Sequence, residues 1–210
     1  MASAVVLLAA CSGGGGERKA SQEPASIAAL ETCRKVFGTA NVQAVVKGLG
    51  GDFRARDRPQ DDMKRRLLAE ARNWDPNTDD PRHAVYRPCH MEGVGEGQGR
   101  DVGASVRWSI SSLDMAAEDK RGTRWHEKAD GLYVSLRPNI NGYPVIMKCS
   151  IPGTRPDQAS LLPLEVAVSN KGLGGEDSAL SGQMVSALAR YMRDLLECGE
   201  KVTVPDGIFP

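Results

Sequence analysis

Two hydrophobic periods divide the chain. From Ile27 to Trp74 apolar residues recur every three or four positions, then every second position through the middle of the chain, and the helical spacing returns near the C-terminus. Ile27, Leu30, Cys33 and Phe37 predict a short first helix with Cys33 on its apolar face. Val42, Val45, Val46 and Leu49 predict a second helical piece, closed by Gly50-Gly51. Gln60 to Trp74 predicts a third, with Met63, Leu67, Ala71 and Trp74 as the buried stripe. Asp61 and Asp62 precede Arg65 and Arg66 by four residues, a favourable pairing on an exposed face.

In the middle, Ala104, Val106, Trp108 and Ile110 alternate with Gly103, Ser105, Arg107, Ser109 and Ser111. One face is apolar and the other polar, as in an antiparallel strand covered on one side. Leu132, Val134 and Leu136 repeat the pattern, as do Tyr143, Val145, Met147 and Cys149, then Leu164, Val166 and Val168. A weaker strand holds Val85, Arg87, Cys89 and Met91, and Asn141-Gly142 suits a tight hairpin. Near the end, Asp177 or Ser178 can cap a helix carrying Leu180, Met184, Leu188, Tyr191, Leu195 and Cys198 on one stripe, with Gly199 as its stop. The tail from Glu200 to Pro210, with two prolines, is expected along the surface. This order predicts an α+β fold: an antiparallel sheet of about five strands, with the N-terminal helices and a long C-terminal helix packed on one face.

The first residues read differently. Val5-Val6-Leu7-Leu8-Ala9-Ala10-Cys11 leads small and apolar residues into a cysteine followed by Ser12-Gly13-Gly14-Gly15-Gly16. This resembles the lipobox of a bacterial lipoprotein signal peptide, which implies export, cleavage before Cys11 and a diacylglyceryl group on its thiol. No Lys or Arg precedes the apolar run, so residues 1–10 match only part of a signal peptide. The run is far too short to span a bilayer, which takes roughly 20 residues; two acyl chains give stable anchoring where one does not. Residues 11–26 would be the lipidated cysteine and a Gly/Ser/charge-rich tether that cannot bury enough surface to order itself. Residues 27–210 would form a single disulfide-stapled domain.

With Cys11 set aside, Cys33, Cys89, Cys149 and Cys198 remain, an even number that in an exported chain points to two disulfides. No close C-x-x-C spacing favours a metal instead. Successive elements tend to be neighbours in space, which favours Cys33–Cys89 and Cys149–Cys198 over the other pairings. Each would close a loop of about 50 residues and contribute about 4 kcal/mol. Aromatics make up only 5% of the chain, so such staples matter more than usual. Leu8-Ala9-Ala10-Cys11, the Gly/Ser tether, Cys33 in an early helix, Cys149 ending a strand, Leu164-Glu165-Val166-Ala167-Val168 and the final helix closed by Cys198 together resemble the small secreted lipoproteins of actinobacteria. That resemblance implies a location on the outer face of the cell membrane and no particular activity.

Chemistry is sparsely signalled. Lys+Arg and Asp+Glu are equal at 27 each, against a nucleic-acid partner. Gly93-Val94-Gly95-Glu96-Gly97-Gln98-Gly99 precedes a strand rather than a helix, so it reads as a hairpin connection and not a phosphate loop. Gly172 to Asp177 does precede a helix, but Glu176 and Asp177 oppose an anion there. His83, His90 and His126 lack metalloprotease spacing, and no G-x-S-x-G or S-x-x-K motif occurs. Asp114, Glu118 and Asp119 read as a solvated charged loop, while Trp125, flanked by Arg124 and His126, reads as an exposed contact residue. No catalytic, cofactor or metal residue is assigned. The expectation is a non-enzymatic binding or accessory module, held to the membrane by its lipid, for an unknown protein, envelope component or small ligand. The alternative is an envelope-acting hydrolase whose site has no motif. The place to look is the polar sheet face, with Arg107, Ser109, Ser111, Tyr133, Ser135 and Arg137.

Overall fold

The structure, a computed structural model, describes residues 24–77, 83–119, 124–175 and 178–209. The expected signal, Cys11 and most of the tether lie outside the described residues. Helices α1 (Pro24–Phe37), α2 (Thr39–Gly48) and α3 (Gln60–Asn73) form where the three- and four-residue spacing predicts them. They bury Leu30, Cys33, Val36 and Phe37, then Val42 and Val45, then Met63, Leu67 and Ala71. Ile27, the first residue of the α1 pattern, is half exposed, so the buried stripe starts at Ala29. Asp62 pairs with both Arg65 and Arg66 on the solvent side of α3.

The strands are β1 (Phe53–Asp57), β2 (Cys89–Gly93), β3 (Asp101–Trp108), β4 (Trp125–Ala129), β5 (Leu132–Ser135), β6 (Val145–Met147) and β7 (Leu164–Lys171). They form one antiparallel sheet of seven strands in the order β1-β2-β3-β7-β6-β5-β4, two more than expected. The additional strands are the two edges. β1 and β4 bury one residue each, Ala55 and Trp125, and carry charge elsewhere, which keeps an unpaired edge from recruiting another chain. Such strands have no apolar alternation to read.

β7, the last strand in the chain, lies at the centre and pairs with β3 from Asp101↔Lys171 to Trp108↔Leu164. It joins two groups of strands that are otherwise separate. The long helix α6 (Ala179–Leu195) follows and packs back on β7 and α1. Ser178 caps it, its hydroxyl accepting from the Ser181 amide at 3.2 Å. With α1, α2 and α3 it covers the inner face of the sheet, where Trp108 is fully buried and donates its indole N–H to Leu67 O at 2.9 Å.

Cys33 of α1 is bonded to Cys89 of β2, and Cys149 after β6 to Cys198 after α6. Each disulfide joins the helical layer to the sheet, with Cα atoms 5.2 and 4.7 Å apart.

The expected tail along the surface is corrected. Val202, Val204 and Ile208 are buried, and Arg193 and Arg190 of α6 donate to Val202 O and Val204 O at 2.9 and 3.0 Å. The weak strand is also shifted: Tyr86 faces the core by bridging to Val106, while Val85 is 40% exposed. Pro88, between Tyr86 and Cys89, interrupts the alternation. The hairpin near Asn141 closes between Asn139 and Gly142, one residue earlier than the Asn-Gly step suggests.

Candidate functional site

The outer face of the sheet is divided in two. On the β4-β5-β6 half, Tyr133 and Ile146 are covered by Trp125 and by the short helix α4 (Leu113–Ala117), which presents Leu113 and Ala116. Trp125 is therefore a buried cover residue, not an exposed contact. α5 (Gln158–Leu161) packs beside α4, with the Ser160 hydroxyl donating to Asp114 at 3.1 Å. Ser109, Ser111 and Ser135 are buried and Arg107 is paired with its cross-strand neighbour Glu165 at 2.8 Å. Arg107, Ser109, Ser111, Tyr133, Ser135 and Arg137 thus do not converge on a concavity.

The other half, β1-β2-β3-β7, is open. A cavity of about 940 Å³ lies on it. Register builds its floor. Arg56 lies opposite His90, His90 opposite Gly103 and Gly103 opposite Ser169, which makes one row across four strands. The next row runs Arg54, Glu92, Asp101, Lys171 by the same pairings. The connection between β2 and β3 and the hairpin bearing Ile140 and Asn141 also line it. The glycine-rich segment is a hairpin connection as expected, but it borders the cavity, which its sequence does not show.

Six cationic side chains line this trough against three carboxylates: Arg54, Arg56, Arg58, Arg87, Arg100 and Lys171 face Asp57, Glu92 and Asp101. Glu92 is taken by Arg56 at 2.6 Å, and Asp101 lies between Lys171 at 3.9 Å and His90 at 3.6 Å. Asp57 accepts from the Thr32 hydroxyl at 2.6 Å. Arg58 stacks 5.4 Å from the Tyr86 ring centroid, and Arg100 donates to Gly48 O at 2.8 Å. Arg54 and Arg87 are exposed and have no carboxylate partner among the described residues. The trough carries a net positive charge, and its walls concentrate that field. Of the lining residues, the sequence brings out His90, Arg87 in the weak strand, the glycine-rich loop, Asn141 in the hairpin, and Gly103 and Ser105 as polar-face positions. Arg54 and Arg56 flank the buried Ala55 at a two-residue period, a signal too short to stand without β2 beside it.

No family model, curated protein or solved structure matches this chain. Among the described residues no group of three His, Cys, Asp or Glu side chains is placed to hold a metal, and no helix is long and apolar enough to cross a membrane.

A second cavity of about 500 Å³ lies between α3 and the approach to β2, lined by Glu70, Trp74, His83 and Tyr86 among others. The Tyr86 hydroxyl donates a short hydrogen bond to Glu70 Oε1, while Glu70 Oε2 is buried with no partner among the described residues. Burial raises the Glu70 carboxyl above its ordinary pKa, and the Tyr86 bond and the Arg66 charge offset only part of that. Burial and the bond to Glu70 raise the Tyr86 phenol as well. The three histidines are distributed: His90 lines the trough, His83 the second cavity, and His126 is exposed on edge strand β4. Asp119 accepts from the amides of Arg124 and Trp125 at 2.6 and 2.9 Å, so it shapes the start of β4 rather than forming a carboxylate pair.

Proposed function

We propose that this chain is an extracytoplasmic lipoprotein, held to the membrane through Cys11, that binds an anionic component of the cell envelope in the trough on the β1-β2-β3-β7 half of its sheet. The trough carries the reading: it is a concavity of about 940 Å³ whose lining has twice as many cations as carboxylates. Concave sites with convergent polar groups are the usual places for ligands. The two disulfides support an oxidising compartment, and the lipobox-like run before Cys11 supports the anchor.

Two experiments test it. Metabolic labelling with a radioactive fatty acid should mark the wild type and not Cys11→Ala; equal labelling removes the anchor. For binding, full-length protein carrying Cys11→Ser is immobilised and offered envelope extract separated into neutral and anionic fractions. Anionic fractions should be retained at low salt and released as ionic strength rises. Retention should fall at least tenfold in Arg54→Glu/Arg87→Glu, and undiminished retention by that variant sinks the trough as the binding surface.

The hydrolase reading is supported by one observation, the raised Glu70 carboxyl beside Tyr86 in a cavity that His83 also lines. A carboxyl whose pKa is raised by burial is better suited to general acid chemistry than an ordinary exposed one. A turnover on envelope glycan or ester substrates that disappears in Glu70→Gln would establish it; a turnover that survives in Glu70→Gln would remove this site.

A further inference from the structure

We infer that the trough takes an acidic glycan laid lengthwise, with anionic groups at its two ends and uncharged sugar between them; the inference rests on the trough being the binding site. The cations are spread along the trough and not gathered at one point. Arg54, Arg56 and Arg58 follow one another every second residue along β1 and just past it, so Arg54 stands about 13 Å from Arg58 at the usual rise of an extended strand. Arg87 joins the Arg58 end: the Gln60 side-chain amide donates to Arg58 O at 2.8 Å and to Pro88 O at 3.4 Å, holding the two segments side by side. Arg54 at one end and Arg87 at the other are exposed, with no carboxylate partner among the described residues.

The floor beside and between them is closed and compensated. Glu92 is held by Arg56, and Asp101 lies between Lys171 and His90. A Cβ added at Gly103 would meet His90 Cδ2 and Ser169 Oγ, each at 3.1 Å, so a ligand passes over this row and does not enter it. A small anion would therefore engage one end alone. A chain charged on every unit, such as polyphosphate, would set negative charge over Glu92 and Asp101. A nucleic acid strand would find no ring to stack on, because Phe, Tyr and Trp are absent from the lining among the described residues. A glycan that alternates acidic and neutral sugars places its charges at the ends and its hydroxyls above His90 and Ser169, which can each donate and accept. Once one end is bound the second binds intramolecularly, so affinity grows with length and not with charge alone.

The test uses full-length protein carrying Cys11→Ser, titrated in a calorimeter at low salt with hyaluronan fragments, which alternate a carboxylate-bearing sugar with a neutral one. The octasaccharide should bind at least tenfold more tightly per carboxylate than the disaccharide, which has a single carboxylate and cannot occupy both ends. Arg54→Gln and Arg87→Gln should each weaken the octasaccharide at least fivefold and the disaccharide no more than about twofold, since the disaccharide has another end to use. Both arginines are exposed, so the urea midpoints of the variants should match the parent and exclude a folding cause. Equal affinity per carboxylate at both lengths, no binding of the octasaccharide, or an octasaccharide indifferent to either arginine overturns the proposal. So does tighter binding of polyphosphate of equal charge, or equal binding of uncharged maltooctaose. In each of these cases the trough reading is decided separately: it stands if retention of anionic envelope fractions is still lost in Arg54→Glu/Arg87→Glu, and falls if that retention is undiminished.

Discussion

Replacing Cys149 and Cys198 together by alanine removes the staple that ties the end of α6 to the sheet. The two residues are separated by 49 positions, and the loop between them holds α5, β7 and α6. In the chain-entropy treatment, opening a loop of that length in the denatured state costs about 4 kcal/mol of stability. That is a large part of the ~5–15 kcal/mol typical of a folded domain. Urea unfolding followed by tryptophan emission is a suitable assay, because Trp108 and Trp125 are both buried in the folded protein. With a slope of about 2 kcal/mol/M, the midpoint should fall by about 2 M. The slope itself should rise, since the unlinked denatured chain exposes more surface. The Cys33–Cys89 pair spans 56 positions and should cost a similar amount by entropy. Both of its cysteines are fully buried, whereas Cys198 is partly exposed, so a thiol reductant should open Cys149–Cys198 first. A midpoint shift under about 0.5 M at unchanged slope would refute the reasoning, because the staple would then not be constraining the denatured chain.

Three further outcomes are expected. Arg107→Ala leaves Glu165, 6% exposed, without its cross-strand partner, and should cost about 2 kcal/mol in the same urea assay, with part recovered in Arg107→Ala/Glu165→Ala; a loss under about 0.5 kcal/mol contradicts the pairing. Because the Glu70 carboxyl is raised in the folded state, the native protein holds a proton that the unfolded chain has lost, so stability should decline as pH rises from about 4.5 through the raised value; Glu70→Gln should flatten that slope, and an unchanged slope refutes the assignment. Gly142 has φ of 103° and an added Cβ would meet Val168 O at 2.0 Å, so Gly142→Ala should cost well over 2 kcal/mol, while Gly153→Ala, with positive φ but open space, should cost about 1 kcal/mol; equal losses would show that the close approach to β7 is not what matters.

Much of the fold is legible along the chain because burial imposes a period. α1, α2, α3 and α6 each press one stripe against the sheet, and β3, β5, β6 and β7 each press one side against those helices, so their sequences alternate at 3.6 or 2 residues. The strand edges are not legible in that way. β1 and β4 bury Ala55 and Trp125 alone, and become strands only because β2 and β5 offer hydrogen bonds. Trp125 reads as exposed from its neighbours Arg124 and His126, yet α4 folds over it, a contact that depends on where the loop returns. The tail is similar: its short apolar residues have no period, and they are buried because α6 supplies Arg190 and Arg193 to receive its carbonyls.

The sequence by itself determined the α+β class, the helical stripes, the one-sided alternation of the central strands and the even cysteine set, since each follows from local spacing. The neighbour rule also favoured the two disulfide pairs that the structure contains. Only the tertiary structure decided that the last strand, β7, enters the middle of the sheet. That insertion sets Ser169 and Lys171 beside Gly103 and Asp101, and so completes a trough whose other members come from β1 and β2, more than a hundred residues earlier in the case of Arg54 and Arg56. Residues on four strands share one surface through register alone, and register between distant strands leaves no mark in the spacing of any one of them.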